Sequence, residues 1–267
     1  MTENFKKYLQ EKNFSENTVK SYVYALRQFA ERFPAPTKQN LKKHREWLIA
    51  QYCPQTVNLR LRAINCYLES TGRADRKLSF VRMQQKPFAE NVISQADYIY
   101  FKNRLREDDE WLWYFVIRFF AATGVRVNEL TKLKVEDVKL GHLDIYSKGG
   151  KVRRIYIPKA LQEETLFWLR EICRQSGFLF LNRYGSPITP RGISGQLKKF
   201  AVRYHINPDV VYPHSFRHRF AKNFIRRSGD IAFLADLMGH GNIETTRVYL
   251  RKTGAEQKEF VDKIVDW

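Results

Sequence analysis

The stretch Trp-Leu-Trp-Tyr-Phe-Val-Ile-Arg-Phe-Phe-Ala-Ala-Thr, residues 111–123, constrains this chain most. It is strongly apolar, and Gly124 follows it as a helix stop. No run of about 20 consecutive apolar residues exists, so neither this segment nor any other reads as a membrane span. Such a helix needs a core around it, and a hydrophobic content of 43% supplies one and argues against wholesale disorder. At 267 residues there is room for two domains.

Ahead of that helix the chain reads as helical. Ser15 is the N-cap of a segment carrying Val19, Tyr22, Val23, Leu26, Ala30 and Phe33 at three- and four-residue spacing, stopped by Pro34 and Pro36. A second helix is predicted over Leu41 to Ala50, and Pro54 precedes a third that runs through Leu59, Ile64 and Tyr67 to Gly72. The segment from Arg76 to Glu90 lacks periodicity and reads as exposed and basic. It divides the chain into a helical domain over 1–80, a linker over 81–91 and a second domain over 92–267.

In the second domain Ser94-Gln-Ala-Asp97 opens a helix, and Arg126 to Leu133 forms a short one. Leu143–Tyr146 and Arg154–Pro158 flank Ser147-Lys-Gly-Gly-Lys151, two strands around a glycine turn. Leu161 to Cys173 is predicted helical, Phe178–Leu181 a short buried strand, and helices dominate from Ile193. The expected fold class is mainly α with a small β-hairpin in the C-terminal domain.

Charge points to a partner. Lys and Arg number 47 against 28 Asp and Glu, a net +19 that attracts polyanions, nucleic acid before a membrane surface. Residues 1–85 hold 16 basic and 7 acidic residues (+9) and residues 86–267 hold 31 and 21 (+10), so the first part is about twice as densely positive. The N-terminus lacks a signal-peptide core. Cys53, Cys66 and Cys173 are too widely spaced for a metal knuckle, which predicts reduced, partly buried thiols in a cytoplasmic protein. The sequence has no phosphate-binding Gly-x-x-x-x-Gly-Lys-Ser/Thr loop and no metal-ligand pattern, so neither ATP nor a metal is expected as cofactor.

Four places carry candidate chemistry. His214 and Arg217 lie three apart near a helix start, where free N–H groups favour a phosphate; an internal salt bridge from Arg217 to Glu129 or Asp236 would explain them equally. Arg126 and Glu129 repeat that spacing, either as a local ion pair or as a guanidinium that a carboxylate aims at phosphate oxygens. Lys148 sits in a basic turn, as a solvated loop residue or as a general acid, with Lys151 its rival. Asp230 to Met238, Gly239-His-Gly and Ile243 to Leu250 outline helix, turn and helix, which a DNA-reading helix-turn-helix would also produce. Tyr249 is then a packing aromatic, or a nucleophile if cations stabilise its developing charge.

The ordered set Arg126, Lys148, His214, Arg217, His240, Tyr249 resembles the tyrosine recombinase (phage integrase) family. The matching text is Ala-Thr-Gly-Val-Arg126-Val-Asn-Glu129-Leu, Ser-Lys148-Gly-Gly-Lys, His214-Ser-Phe-Arg217-His and Leu-Met-Gly-His240, with Tyr249 nine residues later. Phe14-Ser-Glu-Asn-Thr-Val-Lys-Ser-Tyr22 is similar to the opening of the family's core-binding domain, and the chain is most similar to compact Xer-like members without an arm-binding domain.

The resemblance implies a two-domain, C-shaped clamp on double-stranded DNA. Tyr249 would be the nucleophile of a 3′-phosphotyrosyl intermediate and Lys148 the general acid. Arg126 and Arg217 would grip the phosphate, His214 and His240 would hydrogen-bond it, and Glu129 would support the site. It further implies paired inverted half-sites, a dimer per site, a tetramer in the synapse and a C-terminal docking helix after Tyr249. Lys20, Lys77, Arg82, Lys86, Lys151, Arg153, Arg154 and Arg219 are the expected DNA contacts. A type IB topoisomerase and a non-catalytic DNA-binding regulator are the competing readings.

Overall fold

A computed structural model of the chain describes residues 2–82, 92–146, 152–239, 246, 261–263 and 265. The chain divides into two compact units, Met1–Gln85 and Lys86–Trp267.

Unit 1 contains α1 (Thr2–Glu11), α2 (Glu16–Ala30), α3 (Lys38–Gln51), α4 (Pro54–Ser70) and a 3₁₀ turn at Ala74–Arg76. The helix starts follow from local chemistry. The Ser15 and Thr37 hydroxyls accept from the N–H groups of Thr18 and Asn40, both at 3.2 Å, and Pro54 occupies the first turn of α4, where its missing N–H leaves no bond unmade. Phe5, Leu9, Leu26, Phe29, Leu41, Ile64 and Leu68 close the core. His44 is buried with them, edge-on to Phe29 at 5.1 Å and stacked on Trp47 at 5.8 Å. Neither of its ring nitrogens finds a hydrogen-bond partner. Burial, assisted by the charges of Arg32 and Arg60, pushes its pKa down to about 4.

The segment expected as an exposed linker from Arg76 keeps Lys77, Ser79, Phe80 and Arg82 exposed, but its backbone is tied to unit 1 as far as Val81. The side-chain amide of Asn65 donates to Leu78 O and accepts from Leu78 N, at 2.9 and 2.8 Å, and Asn58 does the same with Val81 at 2.9 and 2.8 Å. Arg45 Nε adds a bond to Ser79 O at 3.0 Å. Two residues of α4 thus satisfy the backbone of a segment that lacks periodicity of its own. The rest of the expected linker, 83–91, lies outside the described residues.

Unit 2 contains α5 (Gln95–Glu107), α6 (Trp111–Thr123), α7 (Val127–Leu130), α8 (Val135–Leu140), β1 (His142–Tyr146), β2 (Val152–Tyr156), α9 (Lys159–Glu171), α10 (Pro190–Arg203), α11 (Pro213–Ser228) and α12 (Ile231–Met238). The apolar helix α6 is its centre. Phe115, Val116, Ile117, Phe119 and Phe120 are each 0–1% exposed, a burial that contributes roughly 1.5–3 kcal/mol per side chain. Phe115 stacks on Trp168 of α9 at 4.7 Å, Phe119 meets Phe180 edge-on at 5.6 Å, and Phe120 stacks on Phe216 of α11 at 6.3 Å. β1 and β2 pair antiparallel from His142↔Tyr156 to Tyr146↔Val152.

Two expectations fail here. Phe178–Leu181 is not a strand; Lys134↔Phe178 and Leu181↔Pro187 are isolated bridges, and the buried Leu179 and Phe180 are tied by Leu179 N donating to Leu133 O at 2.8 Å and Ile188 N to Phe180 O at 3.1 Å. The thiols are less buried than expected, since Cys53 and Cys173 are exposed and Cys66 is half-buried. No helix among the described residues is long and apolar enough to cross a membrane.

Candidate active site

The site gathers at the C-terminus of α12. Gly239 ends that helix in a left-handed conformation at φ 60°, where a glycine carries no Cβ penalty. The last carbonyls of a helix lack intrahelical partners and hold partial negative charge. Here three guanidiniums from three elements take three consecutive ones. Arg153 of β2 donates to Leu237 O at 3.0 Å, Arg217 of α11 to Met238 O at 2.6 Å, and Arg126 to Gly239 O at 3.0 Å.

Arg126 is the N-cap of α7, in extended conformation after the left-handed Gly124 that closes α6. Glu129, one turn on, accepts from the Arg126 backbone N–H at 2.8 Å and from its Nη1 at 3.1 Å. The expected local ion pair is therefore formed, and it also aims the guanidinium at α12. The same carboxylate meets Arg153 Nη2 at 2.5 Å. Burial alone would raise the Glu129 pKa, but the Arg126 N–H and the charges of Arg153 and Arg126 outweigh it and hold the carboxyl below its ordinary range.

Arg217 is 3% exposed and also donates to Gly124 O. Two of the acceptors it meets are thus the backbone carbonyls at the ends of α6 and α12. His214 stands in the first turn of α11, behind Pro213, with an exposed face. Partial burial, and then the positive charges of Arg217 and Arg126, push its pKa below the ordinary histidine value. A neutral ring at neutral pH offers both a donor and an acceptor to a bound phosphate. His218, one turn further, is depressed for similar reasons, by burial and by His214, Arg217 and Lys222.

The expected DNA contacts divide. Lys20 is 70% exposed and paired with Glu16 at 2.7 Å, Lys77 pairs with Glu69, and Arg82 is exposed. Arg154 faces outward and forks onto its cross-strand neighbour Asp144 at 2.7 and 2.8 Å. Arg153 and Arg219 require correction, since both are 9% exposed and turned inward. Arg219 lies 3.8 Å over the Tyr98 ring and donates to Gln95 Oε1 at 2.5 Å. Strand alternation carried the missed signal for Arg153. Counting back by twos from the buried Ile157 and Ile155 reaches position 153, and β2 alternates exposed and buried accordingly.

Lys86, Lys148, Lys151, His240 and Tyr249 lie outside the described residues. Within the stretch expected to form the last helix, Thr246 is helical and fully buried. Of the expected docking tail, 261–263 are helical and Val265 N donates to Val261 O at 2.9 Å.

The phage integrase family profile matches residues 94–256, which is more than half of the chain and includes Arg126, His214 and Arg217 together with Lys148, His240 and Tyr249. The chain belongs to the phage integrase family. It is similar to tyrosine recombinase XerA of Pyrococcus furiosus, 29% identical across 98% of this chain and 92% of the relative. Among solved structures it resembles the Tn1549 transposon integrase solved with circular intermediate DNA (18% identity, 99% of both chains, TM-score 0.72). It also resembles the XerH recombinase bound to a palindromic difH substrate (17% identity, 100% of this chain and 85% of that one, TM-score 0.72). This phage integrase family member is a tyrosine recombinase, an enzyme of site-specific DNA recombination, and the topoisomerase and non-catalytic readings are not favoured.

Proposed function

We propose that this recombinase cuts and rejoins double-stranded DNA through Tyr249, with the phosphate held at the end of α12. One observation carries the reading: Arg126 and Arg217 both reach the α12 terminus, with His214 close enough to feel both charges, and His240 is the next residue along the chain. The Tyr249 hydroxyl gives its proton to water as its oxygen attacks phosphorus, a 3′-phosphotyrosyl bond forms, and the P–O5′ bond breaks. Lys148 gives its proton to the departing 5′ oxygen. Arg126 and Arg217 fork onto the non-bridging oxygens, while His214 and His240 hydrogen-bond the same group as its charge builds. The bond energy stays in the phosphotyrosine, and a 5′-hydroxyl of the second duplex reverses the step.

The substrate is a pair of inverted half-sites, with one dimer on each site and a tetramer in the synapse. A λ integrase fragment solved as a dimer bound to a COC′ core site supports the dimer. The enzyme acts in the cytoplasm, associated with the nucleoid. A nicked suicide duplex tests the reading: wild type should form a covalent adduct, and Tyr249→Phe should bind the duplex without forming one. An adduct that persists in Tyr249→Phe removes the nucleophile assignment, and DNA binding without any wild-type adduct removes the cleavage reaction.

A further inference from the structure

We propose that Arg153 is a positioning residue for strand cleavage. It fastens the end of α12, the helix that the chain leaves at Gly239, to β2 and to the Glu129 carboxylate. The proposal rests on the cleavage reaction proposed above.

Of the three guanidiniums on the α12 carbonyls, two belong to the proposed phosphate grip. Arg153 is the third. It is turned into the protein, 9% exposed, and its head group lies between Leu237 O at 3.0 Å and Glu129 Oε2 at 2.5 Å. Contact also exists on the helix side, because a Cβ added at Gly239 would stand 2.5 Å from Arg153 Cδ. The arginine stem therefore packs against the residue that ends α12 while its head holds a carbonyl two residues earlier. Glu129 completes the linkage, because its other oxygen holds Arg126 at 3.1 Å. One carboxylate thus sets the phosphate-gripping Arg126 and the helix-holding Arg153 relative to each other. Reacting groups tolerate little displacement, and a misplacement near 1 Å can lower a rate about 100-fold.

Lysine is the informative replacement. An ammonium keeps the charge beside Glu129, but as a single point it cannot fork between a carboxylate and Leu237 O. Cleavage of the nicked duplex is measured in single turnover at saturating DNA, with Kd determined alongside. A second duplex carries sulfur in place of the bridging 5′ oxygen; a thiolate departs without a proton, so this substrate does not depend on Lys148. For Arg153→Lys the expected result is an unchanged Kd and cleavage slowed about 10- to 100-fold on both duplexes. Wild-type cleavage rates overturn the proposal. A loss confined to Kd also overturns it, as does a loss that sulfur restores, which would place the effect on the hairpin lysine.

Gly239→Ala disturbs the same contact from the helix side with both charges kept, and it decides the matter if Arg153→Lys does not fold. It should slow cleavage of both duplexes at unchanged Kd, and wild-type rates in it overturn the proposal. Absence of a wild-type adduct instead marks failure of the cleavage reading, and is seen before any variant is compared.

Discussion

Glu129 is 12% exposed and stands between two guanidiniums. Glu129→Gln leaves Arg126 and Arg153 facing one another across a neutral amide, the change for which removal of one buried partner costs about 3–5 kcal/mol. The denaturant midpoint of the second unit should fall accordingly; an unchanged midpoint would mean that water, not the carboxylate, balances these charges. The pH dependence has a definite sign. The Glu129 pKa is depressed in the folded chain, so its contribution is complete above the ordinary carboxylate range and is lost as pH falls through the lowered value. The Arg126–Glu129 pair was legible in the sequence because three-residue spacing fixes it locally. The Gly124 and Met238 carbonyls that Arg217 meets were not: backbone carbonyls are identical at every position, and only the fold selects which ones arrive.

The boundaries of α6 could be read directly, since a strongly apolar run met a glycine stop. That glycine is required twice, by φ 63° and by the Phe220 ring that a Cβ would strike. Gly124→Ala should destabilise the second unit by about 2–5 kcal/mol, combining left-handed strain with overpacking. Chemical denaturation measures it, and a loss below about 1 kcal/mol would show that α6 and α11 can separate without cost. Other elements left weaker traces. Helix α8 spans only six residues, too few for a periodicity, and is fixed by Lys134 N donating to Asp137 Oδ2 at 2.8 Å. The apolar run at 178–181 has the composition of a buried strand, yet among the described residues it pairs through isolated bridges, Lys134↔Phe178 and Leu181↔Pro187.

Two units with separate cores predict two calorimetric transitions, and His44 gives one of them a pH signature. Its pKa is about 4 in the folded chain against an ordinary 6.5, so between these values the unfolded chain binds a proton that the folded chain does not. Stability from this residue is complete above pH 6.5 and falls by about 3 kcal/mol as pH drops to about 4. His44→Phe should flatten the first unit's transition over that window. The second unit, with its own depressed His214 and His218, should respond to acid as before. Equal acid sensitivity of the first transition in wild type and variant would remove His44 as the cause.

Asn58 and Asn65 act as two β-partners folded into side chains, each closing one backbone residue of the segment that leaves α4. The first unit is therefore sealed by its own helix as far as Val81. A recombination library joined just beyond residue 82 would transplant a finished module, so relatives could exchange the first unit while the second keeps its chemistry.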